Sequence, residues 1–174
     1  MNFIERKLFF VVLSSILALT FAVSANAQST SDYEVLTGAA LTKAAPKSFY
    51  FAGQSAETQM RNTAAARIGK DRFIIAGMVD TSGYSTEISG KYEGFFITDS
   101  PVKIGDKTLD TGAYGFGFAA GGQIRIFDLS SKEILSVATQ NDNDMKRPRP
   151  LQMAVEAKGV RFYKGKNYVL IAPK

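Results

Sequence analysis

Gly112-Ala113-Tyr114-Gly115-Phe116-Gly117-Phe118 is the stretch from which the fold of this chain is read. Successive residues of an extended chain point to opposite sides, so Tyr114, Phe116 and Phe118 form a row on one face of a strand. Gly115 and Gly117 leave bare backbone on the other. Glycine inside a strand weakens it, and two at alternate positions imply that a neighbour approaches closely there. An aromatic ring such as Phe95, Phe96 or Phe127 is the expected neighbour, with a bound ligand as the alternative.

The same pattern extends outward in both directions. Phe73 to Val79 and Tyr92 to Thr98 are short apolar runs, the first ending in the turn formers Asp80-Thr81-Ser82-Gly83. Ile124 and Ile126 form a further period-2 set, as do Leu151, Met153 and Val155, and Tyr168 to Ala172 reads as a final strand. Gly121-Gly122, Gly105-Asp106, Lys158-Gly159 and Lys164-Gly165-Lys166-Asn167 sit where hairpin turns belong. Helical periodicity is nearly absent. Ala56 to Ile68 is the best helix candidate, because its alanines favour helix, but it lacks an apolar stripe and reads as extended or irregular with a break at Asn62-Thr63, helix being the alternative. The expected fold class is all-β, an antiparallel β-sandwich, with a small closed β-barrel as the alternative.

The N-terminal residues carry a different message. Arg6 and Lys7 precede the apolar run Leu8 to Val23, and Ala25-Asn26-Ala27 has the small-x-small form of a signal peptidase site. Sixteen helical residues span about 24 Å, short of the roughly 30 Å of a bilayer core, so this segment is expected to be a cleaved export signal over 1–27. Residues 28–46 are expected to be a flexible lead-in with one short helical turn near Leu36 to Lys43. A single β domain is expected over 47–174. The implied location is the periplasm or the cell exterior, with no integral membrane segment after cleavage.

Leu109-Asp110-Thr111-Gly112-Ala113-Tyr114-Gly115-Phe116 resembles the L-x-x-G-x-Y element of extracellular β-sandwich domains of the prealbumin-like and carboxypeptidase-regulatory-like kind, and of some exported bacterial domains of unknown function. The resemblance covers about eight residues. It implies a sandwich in which the glycine turns the chain into a strand whose tyrosine packs inward, and it implies no activity.

Composition narrows the chemistry. The chain has no histidine, cysteine or tryptophan, which removes serine–histidine triads, thiol nucleophiles and zinc sites built on imidazole or thiolate. An exported chain without cysteine also relies on its core alone, without disulfides. The net charge of +5 is spread along the sequence, with a local concentration at Lys146, Arg147 and Arg149. No dense basic stripe with interleaved aromatics is present, so nucleic acid is not an expected partner. Ser100-Pro101-Val102-Lys103 has the S-x-x-K spacing of lysine-assisted serine enzymes. Here it is expected to be a strand entering a hairpin, which points the two side chains apart.

Asp80, Glu87, Glu93, Asp99 and Asp128 are the carboxylates from which a glycosidase pair would be drawn. Asp80 reads better as closing a turn. Asn141-Asp142-Asn143-Asp144 offers oxygen ligands of the kind Ca²⁺ prefers, but it runs into three cations and lacks the remaining ligand pattern. No metal or cofactor is expected. Arg147 and Arg149, stiffened by Pro148 and Pro150, are expected to contact carboxylates, phosphates or sugars beside exposed aromatics, with Tyr84 and Tyr92 joining them. Pairing to Asp142 and Asp144 is the competing expectation for the two arginines.

The expected role is non-catalytic: an exported domain that binds a small ligand or an envelope component, or serves a structural part. The alternatives are a carboxylate-dependent glycoside hydrolase and a barrel that carries an apolar ligand against Tyr114, Phe116 and Phe118.

Overall fold

Short aromatic and β-branched runs separated by turn residues produce two antiparallel sheets. The computed structural model describes residues 32–174, and the expected export signal and the first residues after it lie outside them. The first sheet is ordered β1 (Tyr33–Leu36), β3 (Gln54–Ile68), β4 (Arg72–Val79), β5 (Gly94–Thr98), β8 (Gly112–Ala119), β9 (Gln123–Phe127) and β10 (Glu133–Ala138), with β2 (Ser48–Phe51) paired to the start of β3. The second is ordered β12 (Arg149–Glu156), β13 (Gly159–Gly165), β14 (Asn167–Pro173), β6 (Val102–Ile104) and β7 (Lys107–Leu109), with β11 (Gln140–Asn141) paired to β14. The protein is an all-β antiparallel sandwich, and the sheets do not close into the alternative barrel.

The main core lies between the sheets. Ile74, Ala76, Phe96, Phe116, Ile124 and Ile126 face it from the first sheet, and Val102, Ile104, Val160, Phe162, Val169 and Ile171 from the second. Phe162 is its centre, with ring centroids 5.3 Å from Phe116, 5.8 Å from Phe118 and 5.9 Å from Phe96. The aromatic row read from the sequence is therefore core packing, filled from across the sandwich. Burying one such ring stabilises the fold by about 1.5–3 kcal/mol.

A second core covers the outer face of the first sheet. Phe49 and Phe51 of β2 lie over Phe95, Val79 and Phe127, together with Tyr92. The long strand β3 makes this possible. Its pairing with β4 shifts register between Thr58 and Thr63, where Gln59 donates to the Val79 carbonyl and Thr63 to the Met60 carbonyl. The interruption at Asn62-Thr63 expected from the sequence is this bulge, which bends the strand so that its first half and β2 fold over the sheet.

This second core explains the alternating glycines. A Cβ at Gly115 would overlap the ring of Phe51, and a Cβ at Gly117 would overlap the carbonyl oxygen of Lys91. The expectation of a ring against the bare backbone holds at Gly115, but the ring is Phe51 rather than Phe95, Phe96 or Phe127. At Gly117 the neighbour is main chain. Phe51 stacks on Tyr92 at 3.9 Å between centroids.

Two local expectations have direct counterparts. Gly122 and Gly105 take φ of +72° and +60° in the β8–β9 and β6–β7 hairpins, conformations that glycine enters without steric cost. Tyr114 closes the turn before β8 by donating from its hydroxyl to the Asp110 carbonyl at 3.0 Å, the geometry of a tyrosine corner. Gly112 is needed there because a Cβ would meet the Tyr114 ring. The expected lead-in, by contrast, contains a strand: β1 pairs along Ala65–Ile68 of β3, and the short helical turn expected near Leu36 to Lys43 is α1 (Gly38–Ala44). Alternation is too short over four residues to be read as a strand in advance.

Candidate functional site

The two sheets are open at the end where the β8–β9 turn, the β13–β14 turn and the entry to β12 meet. Phe118 and Ala119 finish β8, Ala120 and Gly122 make the turn, Lys164 and Gly165 end β13, and Pro148, Arg149 and Pro150 lead into β12. These residues and Asn167 line a broad groove of about 590 Å³. That volume far exceeds a simple inorganic anion. Its lining combines half-buried Phe118, two alanines and two prolines with the cations Arg149 and Lys164.

Backbone chemistry fixes Arg149 at the rim. Pro148 and Pro150 hold the chain extended on either side of it, and Arg149 pairs in register with Gly165. Gly165 has φ of +61° and open space where a side chain would be, so the groove is not obstructed from below. Arg149 is exposed. Neither it nor Arg147 takes part in an ion pair among the described residues.

The expected pairing of those arginines with Asp142 and Asp144 is not what the chain does. Asp142 accepts from the Tyr163 hydroxyl at 2.9 Å and faces Arg161 at 3.7 Å. These contacts pin the start of the 142–148 loop to the second sheet and turn Asp142 away from Arg147 and Arg149. Arg147 lies in this loop and does not line the groove.

Lys164 ion-pairs with Glu93, whose second carboxylate oxygen accepts the Phe118 amide at 3.0 Å. Glu93 precedes β5 on the first sheet and Lys164 ends β13 on the second. The pair therefore ties the sheets together beside Phe118, and the ammonium stands 5.9 Å from the Phe118 ring centre. Beyond it lies a smaller hollow of about 250 Å³, lined by Ser89, Gly90, Lys91, Glu93, Phe118, Ala119, Ala120 and Arg125.

Comparison with protein-family models, with curated proteins and with solved structures finds no match. The site is therefore read from its own geometry.

Tyr84 and Tyr92, expected beside the arginines, lie elsewhere. Tyr92 is fully buried in the second core, stacked on Phe51 and edge-on to Tyr84 at 5.3 Å. Tyr84 is half-buried over the same face and donates to the Gln54 carbonyl. Burial first, and then repulsion from Tyr84, push the Tyr92 phenol well above its ordinary value. Both tyrosines are corrected to core and core rim: the excursion from Asp80 to Glu93 needs apolar cover for the first sheet, and they supply it.

The carboxylates are committed to structure. Asp80 caps its turn by accepting from the Ser82 amide, Asp128 accepts from Ser130 and Lys132, and Asp99 accepts the Phe73 amide. Glu87 pairs loosely with Lys91 at 3.5 Å. Hydrogen bonds from Ser82 lower the Asp80 carboxyl below its usual range, and those from Ser130 and Lys132 do the same for Asp128. This is the opposite of what a general acid needs. Val102 and Lys103 lie in strand β6, with Ser100 buried and Lys103 exposed, so the S-x-x-K spacing brings no amine beside a hydroxyl. Among the described residues no group of three acidic side chains is placed to hold a cation.

A further depression of about 270 Å³ lies on the outer face of the second sheet, around Glu156, Arg161 and Tyr168. Four of its polar side chains contact one another. Arg161 pairs with Glu156 and stacks on Tyr168 at 4.6 Å, and Tyr168 donates to Gln140. It offers a ligand less unmet chemistry than the Arg149 groove. Sequence reading missed Lys164 and Arg125 as site residues and offered Phe118 only as the lining of an enclosed apolar pocket, since the topology that gathers three turns at one end leaves no local signal.

Proposed function

We propose that this chain is a non-catalytic binding domain whose ligand seats in the groove at the open end of the sandwich. The observation that carries the reading is Arg149, exposed and without an ion pair among the described residues, held by flanking prolines beside Phe118 and across from Lys164. An unpaired guanidinium offers a planar fork of donors suited to a carboxylate or phosphate. The apolar wall beside it favours a ligand with an apolar portion next to its charge. Commitment of the five candidate carboxylates, Asp80, Glu87, Glu93, Asp99 and Asp128, to backbone amides, turns and ion pairs favours binding over hydrolysis. Export to the periplasm or cell exterior, proposed from the N-terminal sequence, would make an envelope component or an extracellular small molecule the natural ligand.

The test is an NMR titration with octanoate, and with octyl glucoside as a neutral probe of the same tail length. Octanoate is expected to shift the amides of Phe118, Ala119, Arg149 and Gly165, and Arg149→Glu to abolish those shifts. Equal responses to the two probes, or shifts confined to other surfaces, would overturn the reading.

A further inference from the structure

The groove at Arg149 and the hollow at Arg125 share Phe118, Ala119 and Ala120. They therefore adjoin, and a chain crossing both would run as a track over the open end of the sandwich. Arg149 marks one end, on the second sheet. Lys164 stands at the middle, against Phe118. At the other end are Lys91 and Arg125, and Arg125 pairs in register with Gly117, whose bare side faces the Lys91 carbonyl. Packed sheets are about 10 Å apart, so a track from one sheet to the outer side of the other is too long for a single carboxylate or phosphate.

Charge along the track is unbalanced. Four cations line it and Glu93 is the one carboxylate in the lining. The remaining partners come from outside: Glu133 lies 3.8 Å from Arg125 and Glu87 lies 3.5 Å from Lys91. Exposed pairs at such distances contribute little and yield readily to a competing anion. Between the cations the surface is apolar, with Phe118, Ala119, Ala120, Pro148 and Pro150. The occupant that matches this alternation is a chain bearing an acid group on each unit and an apolar face between acid groups.

We infer that the track takes a linear acidic oligosaccharide of the uronic-acid type, its carboxylates falling at Arg149 and at Lys91 and Arg125, with a sugar ring resting on Phe118 beside the Lys164–Glu93 ion pair. This rests on the proposed binding role of the Arg149 groove and names the ligand class for it. A polyanion without apolar faces, such as polyphosphate, matches the charges but leaves Phe118 and the prolines unused.

Calorimetric titration of the full chain with galacturonate oligomers of one, three and six units tests it, with polyphosphate of matched charge as the competitor class. Affinity is expected to rise roughly tenfold or more from one unit to the longer oligomers, as separate contacts become linked on one chain. Arg149→Ala and Arg125→Ala, both at partly or fully exposed positions, are each expected to remove most of that gain while leaving the thermal midpoint unchanged. Affinity independent of length, a loss confined to Arg149→Ala, or polyphosphate binding as tightly with the same variant pattern would overturn the inference. If octanoate still binds at Phe118 and Arg149 while the oligomers show no length effect, only the ligand class fails. If neither probe binds there, the binding role of the groove fails with it.

Discussion

The alternating glycines of β8 make a prediction in which chemically identical substitutions part company. Gly117→Ala drives a methyl group into the Lys91 carbonyl oxygen, a backbone atom that cannot rotate away. The main-chain path from Lys91 through Glu93 is itself held by Tyr92 and by the bond from the Glu93 amide to the Phe116 carbonyl. Overpacking typically costs about 1–3 kcal/mol, and a rigid main-chain contact belongs at the upper end. With a urea m-value of about 1–3 kcal/mol/M for small proteins, the unfolding midpoint should fall by about 1–3 M.

Gly115→Ala meets a side chain instead, the Phe51 ring, so its cost should shrink when Phe51 is shortened to leucine. In a double-mutant cycle the two changes should couple by about 1 kcal/mol. Gly121→Ala is the control. Nothing lies within 4 Å of a methyl group there and its φ is not positive, so it should be neutral or stabilise by up to about 1 kcal/mol. Urea unfolding followed by circular dichroism reads all of these. A Gly117→Ala variant as stable as Gly121→Ala, or a Gly115→Ala cost untouched by Phe51→Leu, would refute the packing argument.

Further expectations follow from single contacts. Tyr114→Phe removes the bond to the Asp110 carbonyl that closes the turn before β8 and should cost about 1 kcal/mol, read as a lower urea midpoint. Tyr163→Phe frees Asp142 from its hydroxyl donor, and hydrogen exchange through Asp142–Met145 should quicken while the β4 and β5 amides stay protected. Alkaline stability should turn on Tyr92. Its phenol is raised in the folded state and titrates near 10 when unfolded, so above about pH 10 the native chain binds more protons than the unfolded one and stability falls as pH rises. Tyr92→Phe should flatten that slope in unfolding curves measured between pH 9 and 11.

The sandwich was legible because its evidence is local. Period-2 rows at 114–118, 124–126 and 151–155, and glycine turns at 105, 122 and 165, each report a conformation through a few neighbouring residues. The second core was not, because Phe49 and Phe51 reach Gly115 only after β3 bends at the Thr58–Thr63 bulge, and nothing near Gly115 announces a ring 64 residues earlier. Tyr84 and Tyr92 were misplaced for the same reason: an aromatic in a polar, turn-rich stretch reads as exposed until the face it covers is known. Of the candidate site, Arg149 was visible through its prolines. Phe118 was visible as a member of the core row or as the lining of an enclosed apolar pocket, and its role at the mouth of the sandwich depends on three distant turns meeting at one end.

The central claim, that the Arg149–Phe118 groove carries a ligand, is tested most directly by native mass spectrometry of the protein and of Arg149→Glu, each purified gently from the producing cells. The account predicts an anionic adduct on the unaltered protein that is absent from Arg149→Glu, with both chains folded. The same adduct on both proteins, or a bare chain in both spectra, would contradict it.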